Sequence, residues 1–228
     1  MTGPSCHPPP ELTSDGSTTM RPMPITVIDH PLAADLLTRL RDVRTGPAEF
    51  RSLTRRLGAI LVVEATRGLP SVPREVHTPL EAFTGSALGV DLVAIPVLRA
   101  GLGLLDAVTD LYPDTVVGYL GMERDEETHE PRDYYAKLPP MGGKHALVLD
   151  PMLATGGSGS AACTYVQNAG PRGLTFVCVV AAPEGVARME ADHPEVTIVA
   201  GALDRKLNAN AYILPGLGDF GDRLYGTE

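Results

Sequence analysis

From Val90 to the end of the chain, short apolar runs rich in β-branched residues alternate with segments long enough for a helix. Five such runs occur, at Leu92–Leu98, Thr115–Leu120, His145–Asp150, Leu174–Ala181 and Val196–Ala200. Each run is almost continuously apolar, which is typical of parallel strands covered by helices on both faces. Between the runs lie helix-length segments at Leu104–Leu111, Gly159–Ala169 and Glu184–His193. The pattern predicts an α/β fold with a doubly wound, mainly parallel sheet and right-handed crossovers.

The residues before this pattern form two different regions. Residues 1–24 are rich in Pro, Ser and Thr and hold one branched aliphatic side chain, Leu12. Such a stretch buries too little apolar area to offset the entropy lost on ordering, so we predict a disordered extension of one domain over residues 25–228. Two helices are predicted next, over Pro31–Arg44 and from Pro47 to about Thr66. The side chains predicted to face inward are Leu32, Leu36, Leu37, Leu40 and Val43 in the first helix and Phe50, Leu53, Leu57, Ile60 and Leu61 in the second.

Charge and cysteine usage argue against several classes of protein. The formal net charge is −9, whereas neutralising nucleic-acid phosphates needs an excess of Lys and Arg, so no nucleic-acid partner is expected. The three cysteines include no C-x-x-C pair, which argues against a zinc site or a disulfide framework. Cys163 and Cys178 lie in apolar segments and are predicted to be core side chains. No apolar run reaches about 18 residues and the N-terminus lacks a secretory apolar segment, so we expect a cytoplasmic protein without a membrane span.

The loop at residues 150–158 has the composition of a phosphate-binding loop. It follows a predicted buried strand, begins with an aspartate and opens a predicted helix. Gly156 and Gly157 allow the backbone to approach an anion, and Thr155 and Ser158 add hydroxyl donors. No lysine follows the glycines, so the loop is not a Walker A motif and suits a single monophosphate better. The alternative is a glycine-rich turn that only connects a strand to a helix.

Three further segments combine charge or glycine with the predicted ends of strands. Arg99 follows the strand Leu92–Leu98 in a loop of small residues and could bind an anion or make a surface ion pair. The segment Gly121–Thr128 has the composition of a solvated, charged hairpin. The segment Tyr212–Arg223 is too rich in glycine for a packed element and reads either as a frayed tail or as a backbone-lined binding site.

The loop at residues 150–158 indicates the family that the chain resembles. Residues Val148–Ser158 (VLDPMLATGGS) are closely similar to the PRPP-binding loop of uracil phosphoribosyltransferases, in which Asp-Pro-Met replaces the two adjacent acids of most type I phosphoribosyltransferases. The resemblance implies that residues 154–158 hold the 5′-phosphate and that Asp150 contacts the ribose hydroxyls. The implied PRPP-binding residues of this phosphate loop are Asp150, Pro151, Met152, Leu153, Ala154, Thr155, Gly156, Gly157 and Ser158.

The other segments resemble the same family. Leu98–Gly103 is similar to its diphosphate loop, and Gly121–Thr128 is similar to a stretch that brings a second arginine, Arg124, to PRPP on a β-arm. Glu123 in this stretch, and Asp133 in the following segment Glu130–Leu138, differ from the residues usual in the family. Tyr212–Arg223 is similar to the family's uracil-binding hood, whose backbone reads the base. The resemblance implies that Ile213, Gly218, Asp219 and Phe220 bind uracil, that Asp219 also faces PRPP, and that Arg99 and Asp219 are the catalytic residues, with Arg99 binding PRPP.

The resemblance covers about residues 26–228 and implies a specific activity. The chain is expected to have the fold of type I phosphoribosyltransferases and to convert uracil and PRPP into UMP and diphosphate. Mg²⁺ is the expected cofactor, chelated mainly by PRPP, and a homodimer or a higher homo-oligomer is expected. Some relatives are activated by GTP, which makes GTP activation a property to test. Two alternatives stay open: a transferase for another base such as hypoxanthine, and a PRPP- or UMP-sensing regulator that binds RNA.

Overall fold

The computed structural model describes residues 25–124 and 131–227. The predicted extension at residues 1–24 lies outside the described residues and stays a prediction, as does the fold of residues 125–130. In chain order the elements are β1 (Ile25–Val27), α1 (Pro31–Arg41), α2 (Pro47–Ala65), β2 (Ser71–His77), β3 (Ala82–Leu88), β4 (Leu92–Leu98), α3 (Leu102–Leu111), β5 (Val116–Val117), β6 (Tyr119–Arg124), β7 (Pro131–Lys137), β8 (His145–Leu149), β9 (Met152–Leu153), α4 (Gly157–Asn168), β10 (Gly173–Ala181), α5 (Pro183–Asp192), β11 (Thr197–Leu203), β12 (Lys206–Leu207), β13 (Ile213–Leu214) and α6 (Phe220–Tyr225).

The central sheet is mainly parallel, which confirms the predicted fold class. Its strand order is β1-β11-β10-β8-β4-β6-β7, and only the β6–β7 pair along this path is antiparallel. One face of the sheet packs against α1, α2, α3 and α6, and the other packs against α4 and α5. The carboxyl ends of β4, β8 and β11 lie at one edge, where doubly wound sheets bind their ligands.

The first helix is shorter than its apolar pattern predicts. It begins after His30, whose Nδ1 accepts from the Leu32 N–H at 3.1 Å, and it ends at Arg41. Leu32 is 64 % exposed and Val43 is 91 % exposed, so the prediction that both face inward is wrong. Leu32 lies in the first turn, and Val43 lies in the turn after the helix, where neither side chain reaches the sheet. The second helix agrees with its prediction within one residue.

Glycine explains a difference between a predicted and an observed strand. The predicted run Thr115–Leu120 is split at Gly118 into β5 and β6. A Cβ at Gly118 would lie 2.9 Å from Pro139, so the glycine admits the returning chain at close range. The two strands both pair with β4, which places the β6–β7 ribbon directly beside the loop that carries Arg99.

Two other elements were not anticipated from the sequence. The strands β2 and β3 form an antiparallel hairpin in which nearly every residue is exposed, including Val72, Val76 and Phe83. The segment Tyr212–Arg223, predicted to be too glycine-rich to pack, runs into the helix α6. Leu217 and Phe220 belong to the core, so that prediction is wrong.

The cysteine prediction is confirmed for the two residues that the structure describes. Cys163 and Cys178 are buried and unpaired, and burial raises the pKa of both thiols far above the ordinary value. Over residues 25–124 and 131–227, none of the helices has both the length and the apolar character needed to cross a membrane.

Candidate active site

The phosphate loop (Asp150–Ser158) connects β8 to α4 through a conformation that requires glycine. Gly156 caps the helix with φ = 80°, in the left-handed region, and a Cβ there would lie 2.8 Å from the Gly185 carbonyl oxygen. The first intrahelical bond, from Ser160 N–H to Gly156 O, measures 2.8 Å. Because the first-turn N–H groups of a helix have no intrahelical acceptor, those of α4 are directed at an anion placed over the loop.

Asp150 places a carboxyl group where the phosphate loop leaves β8. The residue is half-buried, and burial raises the pKa of its carboxyl to about 7. The Met152 N–H, 3.5 Å from Oδ1, opposes this shift only weakly because the contact is long. This long contact stabilises the carboxylate poorly, and ligand hydroxyl groups would favour its ionised form.

The diphosphate loop (Leu98–Gly103) is pressed against the end of the neighbouring strand. A Cβ at Gly101 would lie 2.2 Å from the Leu149 carbonyl oxygen, so only glycine fits, and the peptide between Leu98 and Arg99 is cis. The Arg99 side chain is 63 % exposed, and its guanidinium lies 4.0 Å from Asp222 Oδ1. That separation is too long for a hydrogen bond, so the surface ion pair considered as an alternative is weak.

Arg124 is placed by its backbone only. It is the last residue of β6. Near the start of that strand Gly121 pairs with Leu98 of β4, so the β6–β7 ribbon begins next to the diphosphate loop. The side chain of Arg124 and the residues that follow to 130 lie outside the described part of the structure. Its assignment as a second PRPP ligand stays a prediction.

The hood (Tyr212–Arg223) combines a short strand, a glycine turn and a helix. β13 pairs with β12, the peptide between Leu214 and Pro215 is cis, and Gly216 and Gly218 have positive φ angles of 60° and 82°. Asp219 caps α6, because its Oδ1 accepts from the Asp222 N–H at 3.0 Å. One carboxylate oxygen of Asp219 is thus engaged in the protein, a role that the sequence analysis did not identify.

A cleft of about 370 Å³ lies between the phosphate loop and the hood. The predicted site residues that line it are Met152, Ala154, Ile213, Gly218, Asp219 and Phe220. Phe220 is 2 % exposed, because its ring also packs edge-on against Phe50 with centroids 5.1 Å apart. Arg99 does not line this cleft. The tertiary fold therefore brings together two segments that are about 60 residues apart in the chain.

Several residues of the site were missed by the sequence analysis. Asn210 and Ala211 line the cleft, and Ala211 adopts a positive φ of 62°. Tyr225 Oη donates to the Arg99 carbonyl oxygen at 3.1 Å, which joins α6 to the diphosphate loop. The Asn-x-Asn sequence before the hood is a turn signal that could have indicated Asn210 and Ala211. Nothing in the local sequence indicates the Tyr225 contact.

A metal ion held by the protein alone needs several ligand side chains close together. In residues 25–124 and 131–227, no three His, Cys, Asp or Glu side chains are close enough to hold a metal ion together. The two acids of the predicted site, Asp150 and Asp219, belong to the phosphate loop and the hood respectively.

Comparisons with known proteins show the family and the fold of the chain. Residues 27–227 match the family model described as uracil phosphoribosyltransferase. The chain is 46 % identical over 205 residues to the uracil phosphoribosyltransferase of Salinibacter ruber, covering 90 % of this chain and 98 % of that protein. It is 47 % identical over 206 residues to that of Symbiobacterium thermophilum, covering 90 % and 99 %. The AQ2163 protein from Aquifex aeolicus has a similar structure, with a TM-score of 0.86, 38 % identity and coverage of 90 % and 99 %. The chain belongs to the uracil phosphoribosyltransferase family.

Proposed function

We propose that this chain joins N1 of uracil to C1 of PRPP, forming UMP and releasing diphosphate. The observation that carries the proposal is the cleft shared by the phosphate loop and the hood. A phosphoribosyl acceptor has to bind within bonding distance of the ribose, so one cleft must be bordered by both ligand-binding segments. Met152 and Ala154 on one side and Ile213 and Gly218 on the other fulfil this requirement.

The phosphate loop and Asp150 would position the ribose 5-phosphate. The helix start after Gly156 would bind the 5′-phosphate through backbone N–H groups, with the helix dipole behind them. Asp150, whose carboxyl pKa is raised by burial, would accept hydrogen bonds from the ribose hydroxyls. Binding of PRPP would add hydrogen bonds to the long contact that the carboxylate has with the Met152 N–H.

Arg99 and Arg124 would stabilise the leaving diphosphate. Cleavage of the C1–O bond leaves the electron pair on the diphosphate and develops positive charge on the ribose. The protein therefore has mainly to position the two substrates and to neutralise the charge of the leaving diphosphate. The exposed guanidinium of Arg99 suits the neutralisation of the diphosphate, since its ion-pair partner among the described residues, Asp222, lies 4.0 Å away. The base N1 then forms the new bond as its proton leaves. We propose Asp219 as the group that assists this proton loss, through the oxygen not engaged in capping α6.

Mg²⁺ fits the site only as an ion carried by PRPP. Magnesium prefers oxygen ligands and usually keeps several waters, bound through a few carboxylates and the substrate phosphates. Among the described residues the acids do not form a cluster that could hold the ion by themselves, whereas the diphosphate and ribose oxygens would supply most ligands. When bound, the ion would neutralise charge on the diphosphate. Asp150 and Asp219 would orient its waters.

The uracil base would be recognised by the backbone of the hood. Uracil presents carbonyl oxygens and N–H groups in one plane, which main-chain N–H and C=O groups can match without an Asn or Gln side chain. Gly218 lines the cleft with its backbone exposed, and Ile213 provides an apolar wall that is 4 % exposed.

One assay tests the proposal and its alternatives. UMP formation from radiolabelled uracil and PRPP is measured with and without Mg²⁺, and hypoxanthine is supplied in parallel. We expect UMP with uracil, no product with hypoxanthine, and loss of activity when Mg²⁺ is chelated. Product from hypoxanthine alone would contradict the substrate assignment. Adding GTP to the same assay tests activation, and a gel shift with pyrimidine-operon RNA tests the regulator, which the net charge of −9 argues against.

We also propose that the chain forms a homodimer through the hairpin β2–β3. The hairpin exposes Val72, Val76 and Phe83, the last at 57 % exposure, and Leu80 at its tip is 94 % exposed. Exposed apolar side chains in a row are typical of a surface that packs against another chain. Sedimentation of the wild type and of Phe83→Ser is the test. We expect a dimer that the substitution weakens, and a monomeric wild type would contradict the proposal.

A further inference from the structure

Two arginines that do not line the cleft, Arg41 and Arg223, contact the backbone of the hood. Arg41, at the end of α1, forms a bidentate ion pair with Asp204, with Nη2–Oδ1 at 2.6 Å and Nη1–Oδ2 at 2.8 Å. The Asp204 side chain is 5 % exposed and the Arg41 side chain is 23 % exposed. A pair so shielded from water is more rigid than a surface ion pair, because two short charge-assisted hydrogen bonds fix the relative position of its two side chains.

This ion pair holds both polar backbone groups of one hood residue. Arg41 Nη1 donates to the Gly216 carbonyl oxygen at 2.7 Å, and the Gly216 N–H donates to Asp204 Oδ2 at 2.9 Å. Gly216 has a φ of 60° and a Cβ there would lie 2.1 Å from the Ile213 carbonyl oxygen, so the turn is tight as well as bonded. The orientation of this peptide is therefore set from outside the hood.

The second arginine holds the next residue of the hood. Arg223 donates from Nη1 to the carbonyl oxygens of Leu217 at 2.8 Å and Leu40 at 2.5 Å, and from Nη2 to the Asp42 carbonyl oxygen at 2.6 Å. Its guanidinium carbon lies 4.6 Å above the Phe50 ring. The planar fork of arginine is the side chain able to reach several fixed carbonyls at once, and a lysine has a single nitrogen.

These contacts determine where the hood N–H groups point. Cis peptides in residues 25–124 and 131–227 occur only before Arg99 and before Pro215, so the peptides after Gly216 and Leu217 are trans. In a planar trans peptide the N–H points opposite to the C=O of the same unit. The carbonyls of Gly216 and Leu217 are bonded to the two arginines. The N–H groups of Leu217 and Gly218, which belong to the same two peptide units, therefore face away from the arginines. Within the described residues neither N–H has an acceptor. Gly218 lines the cleft, and Leu217 precedes it as a buried residue.

We propose that Arg41, acting with Asp204, and Arg223 are positioning residues that hold the hood N–H groups toward the base and thereby set the affinity for uracil. This inference rests on the proposed function, because it assumes that uracil occupies the cleft. A base carbonyl is the natural acceptor for such an N–H group. A misdirected N–H would lose that bond and leave a buried polar group unpaired, without touching the phosphate loop.

The test compares Michaelis constants in conservative variants. In Arg41→Lys and in Arg223→Lys we expect the KM for uracil to rise by at least about tenfold while the KM for PRPP stays within about twofold. Arg39→Lys is the matched control, because Arg39 lies on the same helix in an exposed pair with Glu49, at 2.5 Å, and does not contact the hood. It should keep both constants. Partial misfolding lowers the active fraction and hence kcat, but it does not change KM, so the readout separates positioning from stability.

A double variant examines whether the ion pair acts as one unit. Asp204→Asn combined with Arg41→Lys should raise the KM for uracil no further than the worse single variant, since both remove the same constraint on Gly216. Unchanged KM for uracil in both lysine variants, or an equal rise in the KM for PRPP, would overturn the inference while leaving the proposed function intact. A wild type that forms no UMP would instead remove the proposed function itself.

Discussion

Replacing Arg99 by alanine separates catalysis from stability more cleanly than any other change in the site. The side chain is 63 % exposed and its guanidinium lies 4.0 Å from the Asp222 carboxylate, so its removal should change the free energy of unfolding by less than about 0.5 kcal/mol. A positive charge about 4 Å from the leaving diphosphate contributes about 4 kcal/mol at an effective dielectric constant of about 20. Solvent around a side chain this exposed reduces that value, and we expect a loss of about 2.7 kcal/mol.

The expected result is a fall of at least about 10²-fold in kcat/KM for PRPP, at unchanged melting temperature. Steady-state UMP formation at varied PRPP measures the first quantity and thermal unfolding the second. Arg55→Ala is the matched control, because Arg55 is also exposed but pairs with Asp110 at 2.5 Å, away from the cleft. Arg99→Lys should show an intermediate loss, since it keeps the charge but not the planar fork. An alanine variant with wild-type kcat/KM would refute the assignment.

Three further predictions concern the phosphate loop and the core. Gly156→Ala should lower the free energy of unfolding in urea by about 1–3 kcal/mol and raise the KM for PRPP. Gly170→Ala is the control, at a similar φ of 73° but with open space around it; it should lower the free energy of unfolding less and leave that KM unchanged. Burial raises the carboxyl pKa of Asp150 from 3.8 to about 7, so in the ligand-free protein its contribution to stability is present below pH about 4 and is lost as the pH rises to about 7. The free energy of unfolding of Asp150→Asn relative to that of the wild type should therefore increase between pH about 4 and about 7 and stay constant above pH about 7. A difference that does not change with pH would contradict the raised pKa of Asp150. Phe176→Ala, at a fully buried position, should cost about 3–5 kcal/mol in denaturant unfolding, and a cost under about 1 kcal/mol would contradict the described core.

The parallel sheet could be predicted from the sequence because its strands are buried on both faces. A run such as Leu92–Leu98 is apolar at nearly every position, and the observed strand β4 has the same bounds. The hairpin β2–β3 lacks that signal, since it is exposed on both sides and has no core face to impose a period. The ends of the first helix were predicted less well, because Val43 continues the apolar spacing beyond the last turn that packs on the sheet.

The site could be predicted in its parts but not in its assembly. Gly156 and Arg99 were identified from local composition, and the structure supplies the reasons for glycine at φ = 80° and for an unshielded guanidinium. The cleft residues Asn210 and Ala211 were not identified, and neither was the capping role of Asp219. Such roles depend on which segment the fold places opposite, and a local pattern contains no information about that neighbour.

The sequence by itself determined the fold class, the family resemblance and the segments expected to bind ligands, because buried strands, glycine loops and helix starts leave local patterns. Only the tertiary structure decided how these segments meet. Several contacts behind the orientation of the hood join residues more than 160 positions apart, as in the pair Arg41–Asp204. Arg41 and Asp204 look like ordinary surface charges in the sequence, and it is their burial behind the hood, with Gly216 bonded to both, that turns them into positioning groups.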